Sequence, residues 1–165
     1  MKGNDRLQPS LFHPRYVHLT HLRDATLKTI YQLTADKKDL LLVDFGCGDM
    51  PYRSVIEPHV GKYLGVDLEM NPKAEHHIDF DSKTTLPDNY ADIVLSNQVL
   101  EHVDSPSGYL KEASLSRCGC EFILLKSLIF NCITKANGGT KNLGSLLIIA
   151  SCKSCKPLAA NPIMP

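Results

Sequence analysis

The chain has 165 residues, of which 43% are hydrophobic, enough for one domain with its own core. Eighteen Lys and Arg balance 18 Asp and Glu, so the whole chain is not a polycation built for nucleic acid. No run of about 18 apolar residues offers a membrane span, and Met1 to Asp5 lacks the apolar core of a signal peptide, so a cytoplasmic protein with reduced cysteines is expected.

Residues 1–13 are polar and irregular, and Pro14 then opens a helix expected to run to about Thr34. Tyr16, Leu19, Leu22, Thr26, Ile30 and Leu33 recur at spacings of three and four and give it one apolar face. His13, His18 and His21 lie in or near its start, where exposed helix histidines without a role are commoner than substrate contacts. Asp36 to Asp39 is a polar break.

Leu40 to Val43 is an apolar run that leads through Asp44 and Phe45 into Gly46-Cys47-Gly48. Such a run suits a strand buried on both faces of a parallel sheet. Two glycines spaced by one let the chain turn sharply and let a ligand approach the backbone. Pro51 is placed to open a helix, expected to end near His59. The stretch reads as strand, tight loop and helix. In the dinucleotide fingerprint G-x-G-x-x-G the third glycine would fall on Pro51, which cannot give the close helix–strand contact.

Lys62 to Asp67 is a second strand that ends in an acid 19 residues after Gly48. An acid about 20 residues beyond a glycine loop is where a ribose diol is bound. His76 to Asp81 is a short third strand. Its adjacent His76 and His77 point to opposite faces and cannot easily share a metal ion, so no metal is assigned. Leu86 to Tyr90 is turn chemistry, and Ala91 to Ser96 is a fourth strand. Asn97 to Val103 follows, containing Leu100-Glu101-His102-Val103. Ser105 and Pro106 then cap and open another helix, whose apolar face is Tyr109, Leu110 and Ala113.

Asp44-x-Gly46-Cys47-Gly48 resembles motif I of the class I S-adenosylmethionine-dependent methyltransferases, a family that often has a third glycine where Met50 stands. Ala91 to Val103 resembles the same family's strand-four signature, which ends in Leu-Glu-His-Val, and the likeness covers about Leu40 to Ala113. It implies an α/β fold, a Rossmann-like methyltransferase sheet flanked by helices, with S-adenosylmethionine as cofactor and a small-molecule substrate. Gly46, Cys47 and Gly48 would then lie against the methionine part, with Asp44 on the ammonium side. Asp67 and Leu68 would hold the ribose, and Asp79 with Phe80 the adenine, Asp81 being the competing register. Asn97 and Gln98 follow the fourth strand, at the crevice where open α/β sheets bind ligands. His102 is the best base candidate, with a packing or capping role equally open to it and to Glu101. A base is needed only where the acceptor must lose a proton early.

After Ala113 the character changes. Residues 1–113 hold 12 Lys/Arg against 17 Asp/Glu, whereas residues 114–165 hold six against Glu121 alone, and five of the six cysteines. The family's turn of arginine, aliphatics, lysine, proline and glycines is absent from Ser114 to Cys120. Glu121 to Leu125 could still be a fifth strand, and Leu128 to Ile133 and Leu146 to Ala150 could close a hairpin around Asn137-Gly138-Gly139. The lysines here are scattered, so no nucleic-acid partner is expected. Cys118, Cys120, Cys152 and Cys155 have spacings poorly matched to a zinc site, and reduced cysteines are the alternative.

The expected organisation is an N-terminal helical segment (1–35), a cofactor-binding α/β core (36–126) and an atypical C-terminal segment (127–165) that leaves the sheet incomplete. If the tail does not pair, the fourth strand becomes a hydrophobic edge. Three readings remain at this point: methyl transfer to a small molecule or a glycan or lipid precursor; a truncated or frame-shifted non-catalytic relative that retains part of the cofactor site; and a small interaction protein with a basic cysteine-rich tail.

Overall fold

The computed structural model describes residues 4–37, 39–81, 83–115, 117–126 and 146–151. A short helix α1 (Asn4–Leu7) precedes α2 (Tyr16–Thr34). Strand β1 (Leu41–Phe45) leads into α3 (Arg53–Ile56), which continues as a 3-10 turn over Glu57–His59. Then come β2 (Lys62–Leu68), β3 (His76–Ile78), β4 (Ala91–Asn97), α4 (Pro106–Leu115), β5 (Arg117–Lys126) and β6 (Leu146–Ser151).

The strands form one sheet in the order β3-β2-β1-β4-β5-β6, with β6 antiparallel to β5 and the other pairings parallel. The chain leaves β1 toward β2 and β3, then crosses back to β4 on the other flank. That reversal opens a crevice at the C-terminal ends of β1 and β4, the place where such sheets bind ligands.

Strand periodicity sends alternate residues to two cores. Val43, Phe45, Val66 and Val94 pack with Tyr109 and Ala113 of α4. Leu42, Tyr63, Ile93 and Leu95 pack with Leu22 and Ile30 of α2 and Ile56 of α3. The result is a sheet between helices, the layering that buried parallel strands require. The buried face of α2 contains more threonine than its apolar spacing indicates. Thr26, Thr29 and Thr34 each donate a hydroxyl hydrogen bond to the carbonyl four residues back, at 2.7, 2.8 and 3.0 Å, so they are buried without loss.

Several boundaries differ from the sequence expectation. The third strand ends at Ile78 and not at Asp81, which leaves Asp79, Phe80 and Asp81 outside it. The helix after β1 begins at Arg53, because Met50 has φ +50° and its carbonyl accepts the Arg53 N–H at 3.1 Å, which leaves Pro51 in a turn. The polar N-terminus holds a single helical turn. The fifth strand is longer than Glu121 to Leu125. Its pairing with β4 moves from Ala91↔Arg117 to Ile93↔Glu121, so the one residue between these pairs on β4, Asp92, faces three on β5, Cys118 to Cys120. Cys118 to Cys120, the end of the segment that lacks the family turn, thus lie in a bulge-like register shift.

β4 is paired on both sides and is not an edge, and Leu146 to Ala150 forms a strand as expected, with Ile149 opposite Ile123. The expected strand Leu128 to Ile133, the turn at Asn137 to Gly139, and Cys152 and Cys155 lie outside the described residues. Ser105 caps α4 as expected, its hydroxyl accepting the Gly108 N–H at 3.2 Å.

Candidate functional site

The crevice is built on the turn after β1. Gly46 and Gly48 have φ of +79° and +53°. Two successive N–H groups, of Gly46 and Cys47, converge on the Val66 carbonyl at 2.8 and 3.0 Å and tie the turn to β2. A side chain at Gly46 would meet Val99 Cγ2 at 2.5 Å and the Tyr109 hydroxyl at 3.2 Å, whereas one at Gly48 would meet nothing within 4 Å. The turn is therefore closed beneath Gly46 and open at Gly48, where a ligand can reach the backbone.

Tyr109 holds this arrangement from below. Its hydroxyl donates to the Phe45 carbonyl at 2.7 Å and takes the Ser96 hydroxyl as donor at 2.7 Å, linking β1 to β4 where they begin to diverge. Burial pushes its phenol well up, so it remains a donor. Met50 occupies the family's third-glycine position in a left-handed conformation, and its Sδ lies over Gly65 of β2, 2.6 Å from where a Cβ would sit.

Asp44 lies on the α2 side of β1, 4% exposed, and accepts a short hydrogen bond from the Tyr63 hydroxyl. Burial pushes its carboxyl up to about 6, against the Tyr63 hydrogen bond that lowers it, with the Asp67 charge adding to the rise. Cys47 is also buried, and burial with the neighbouring Asp44 and Asp67 charges raises its thiol well above the usual range. It is a packing cysteine and not a nucleophile.

On the β2 flank, Asp67 ties the glycine turn to the following loop. Its Oδ2 accepts the Gly48 N–H at 2.8 Å and the Asn71 amide at 2.7 Å, and its Oδ1 accepts the Leu68 N–H at 2.8 Å. Asn71 also donates to the Gly48 carbonyl at 2.9 Å, and Lys73 pairs with Asp49 at 2.5 Å. A groove of about 400 Å³ follows, lined by Leu68, Glu69, Met70, Ile78, Asp79 and Phe80. Phe80 is 76% exposed along it, and Asp79 Oδ1 accepts the Lys83 N–H at 2.8 Å.

On the β4 flank, the Asn97 amide nitrogen lies 3.4 Å from Thr26 Oγ1, while its buried Oδ1 has no hydrogen-bond partner among the described residues. Gln98 has φ +56°, and its amide nitrogen lies 3.4 Å from His18 Nε2 of α2. Burial and Arg15 lower the His18 pKa against the charge of Glu101. His102 stands exposed on the turn that its own N–H closes onto the Val99 carbonyl at 2.8 Å.

Asp44, Gly46, Cys47, Gly48, Asp67 and Leu68 therefore gather around one turn, Asn97 and Gln98 border it, Asp79 and Phe80 line the adjoining groove, and His102 lies on the outer turn. Sequence reading missed Asn71, although Asn71-Pro72 after an acid-ended strand marks a turn. It passed over His18, whose approach to Gln98 depends on how α2 docks. Among the described residues no group of three His, Cys, Asp or Glu could hold a metal ion, and no helix is long and apolar enough to cross a membrane.

A mainly parallel sheet with its strand order reversing at β1 and β4, a glycine turn at that point and an acid near the end of β2 define a Rossmann-like fold. The chain belongs to the class I S-adenosylmethionine-dependent methyltransferase family: a family model described as a methyltransferase domain matches residues 18–116. Two solved structures share the fold at a TM-score above 0.5. A candidate methyltransferase of Bacillus halodurans C-125 superposes with a TM-score of 0.51 at 17% identity, over 61% of this chain and 50% of that one. The YcgJ protein of Bacillus subtilis gives 0.52 at 15% identity, over 62% and 50%. An S-adenosylmethionine-dependent methyltransferase of Mesorhizobium loti gives 0.48 at 21% identity, over 62% and 52%. The chain thus spans about half the length of these structures. No curated protein matches it.

Proposed function

We propose that this chain binds S-adenosylmethionine in the crevice at β1 and β4 and transfers its methyl group to a small-molecule acceptor, a glycan or lipid precursor included, in the cytoplasm. The observation that carries the reading is Asp44. A carboxyl buried beside a ligand-accessible glycine turn and pushed up to about 6 is ionised at neutral pH only at a cost, which a bound cation would offset. The amino-acid end of S-adenosylmethionine carries an ammonium group.

Other features fit the same ligand. The space beside the Gly48 Cα is open, Asn97 Oδ1 is a buried acceptor with no donor among the described residues, and the groove beyond Leu68 offers the apolar faces of Leu68, Met70 and Phe80 with Asp79 at its rim. In this reading Asp44 holds the ammonium, Gly46 to Gly48 the amino-acid chain, Asp67 the ribose, and Asp79 with Phe80 the adenine. Asn97 and Gln98 border the place where the acceptor enters. The cofactor, when bound, supplies an activated methyl group on a sulfonium. The residues of the chain contribute orientation and exclusion of water, and His102 stands as the candidate base for an acceptor that must lose a proton.

Calorimetry with S-adenosylhomocysteine tests this. Because Asp44 must be ionised to hold an ammonium, affinity should rise about tenfold from pH 5 to pH 7.5 as the group with a pKa of about 6 loses its proton. Equal affinity at both pH values, or tighter binding of NAD, would overturn the reading.

A further inference from the structure

The bonds around Asp67 have a consequence for the strength of ligand binding. A carboxylate has about four lone-pair sites, two on each oxygen. On Asp67, Oδ2 already takes two donors, the Gly48 N–H and the Asn71 amide, and Oδ1 takes the Leu68 N–H. One site remains. A ribose presents two vicinal hydroxyls and needs two acceptor sites.

Of the three donors present, two are backbone groups fixed by the turn and by β2. The third belongs to a side chain on the loop after β2, and it alone can leave without unfolding the site. That loop is anchored at its far end. Glu75 N–H donates to the Gly65 carbonyl at 2.9 Å, Glu75 Oε2 accepts the Gly65 N–H at 2.9 Å, and Oε1 pairs with Arg53 at 3.1 Å. Between Leu68 and Glu75 the loop meets the glycine turn through Asn71 and through the exposed pair of Lys73 with Asp49. Asn71 itself is only half-buried, so water can replace its partners when it moves.

We propose that Asn71 sets the affinity of this site by competing with the ribose for Asp67 Oδ2, its amide acting as an internal donor that the ligand must displace. The inference rests on the proposed cofactor reading, since it takes the ribose to Asp67. It predicts that removing the amide strengthens binding, the opposite of what a residue touching the ligand would do.

The test is calorimetry of the full chain with S-adenosylhomocysteine, comparing wild type, Asn71→Ala and Asn71→Ser. Both variants should bind about threefold to tenfold tighter, the span set by one hydrogen bond to a charged group. Displacement by 2′,3′-dideoxyadenosine, which lacks the diol, should be the same on all three proteins. Equal or weaker binding by both variants would overturn the proposal, as would a gain of equal size for the dideoxy ligand. Binding to none of the three proteins would instead remove the cofactor reading, and this inference with it.

Discussion

Where the glycine turn meets β2, it is held by hydrogen bonds: Gly46 and Cys47 to Val66, Gly48 to Asp67, and Asn71 across both. Where it meets β4, packing adds to the Tyr109 bridge between Phe45 and Ser96: Val99 and Tyr109 press on Gly46, and the polar groups beyond, Asn97 Oδ1 and Gln98, are without a partner among the described residues or strained. Hydrogen bonds to mobile side chains can be exchanged for those of a ligand, whereas a stiff β-branched contact cannot. The β2 flank should therefore tune affinity and the β4 flank should fix the shape of the turn.

The largest effect should come from the packed side. Gly46→Ala adds a Cβ to a residue at φ +79° and drives it against Val99, whose χ1 is stiff. Overpacking and backbone strain together should cost about 3 kcal/mol in urea unfolding. A loss below about 1 kcal/mol would mean that Val99 yields, and the contrast between the flanks would fail.

Asp44 lies between the flanks and should give an effect of opposite sign. Its carboxyl is raised to about 6 in the folded protein, so the neutral form favours folding below about pH 4 and that contribution is lost as pH rises through 6. Asp44→Asn should then raise stability by on the order of 2 kcal/mol at pH 7.5 and change it little at pH 4. The same variant should weaken S-adenosylhomocysteine. A stability change that does not depend on pH would remove Asp44 from this account.

The smallest effect belongs to Lys73. Its ion pair with Asp49 is exposed on both sides, 58% and 42%, and water screens it. Lys73→Ala should leave the denaturation midpoint unchanged. A measurable loss would show that the loop is held to the turn by charge as well as by Asn71.

The first, second and fourth strands were legible because their residues say one thing at every level: apolar runs of strand length, glycines or polar residues at their ends, and turn residues between; the third, His76–Ile78, has no such run, and its end was placed three residues too late. The cap at Ser105 was legible for the same local reason. The position of the glycine turn and its neighbours Asp67, Asn97 and Gln98 followed from motif spacing. Their partners did not. Tyr63 meets Asp44 only because β1 and β2 pair with Val43 opposite Leu64, and His18 meets Gln98 only because α2 docks on β4. Such pairings depend on register and docking, which no single stretch encodes. The start of β5 was obscured because Cys118-Gly119-Cys120 shows no apolar run of strand length, and the chain places those residues in a register shift against β4.

Met50 and Gly65 show how a motif can be kept without its usual residue. The turn carries Met50 where its left-handed position favours glycine, and that side chain needs room. That room is supplied by a glycine in the middle of β2, a strand interior where glycine is otherwise a weakness. The two sites therefore constrain each other across the sheet: a larger residue at 65 would require position 50 to shrink first, and Cys47, whose Sγ lies 3.1 Å from the same Cβ position, to give way as well. In a lineage, changes at these positions should arrive as a correlated pair and in that order, so that neither site can be interpreted alone.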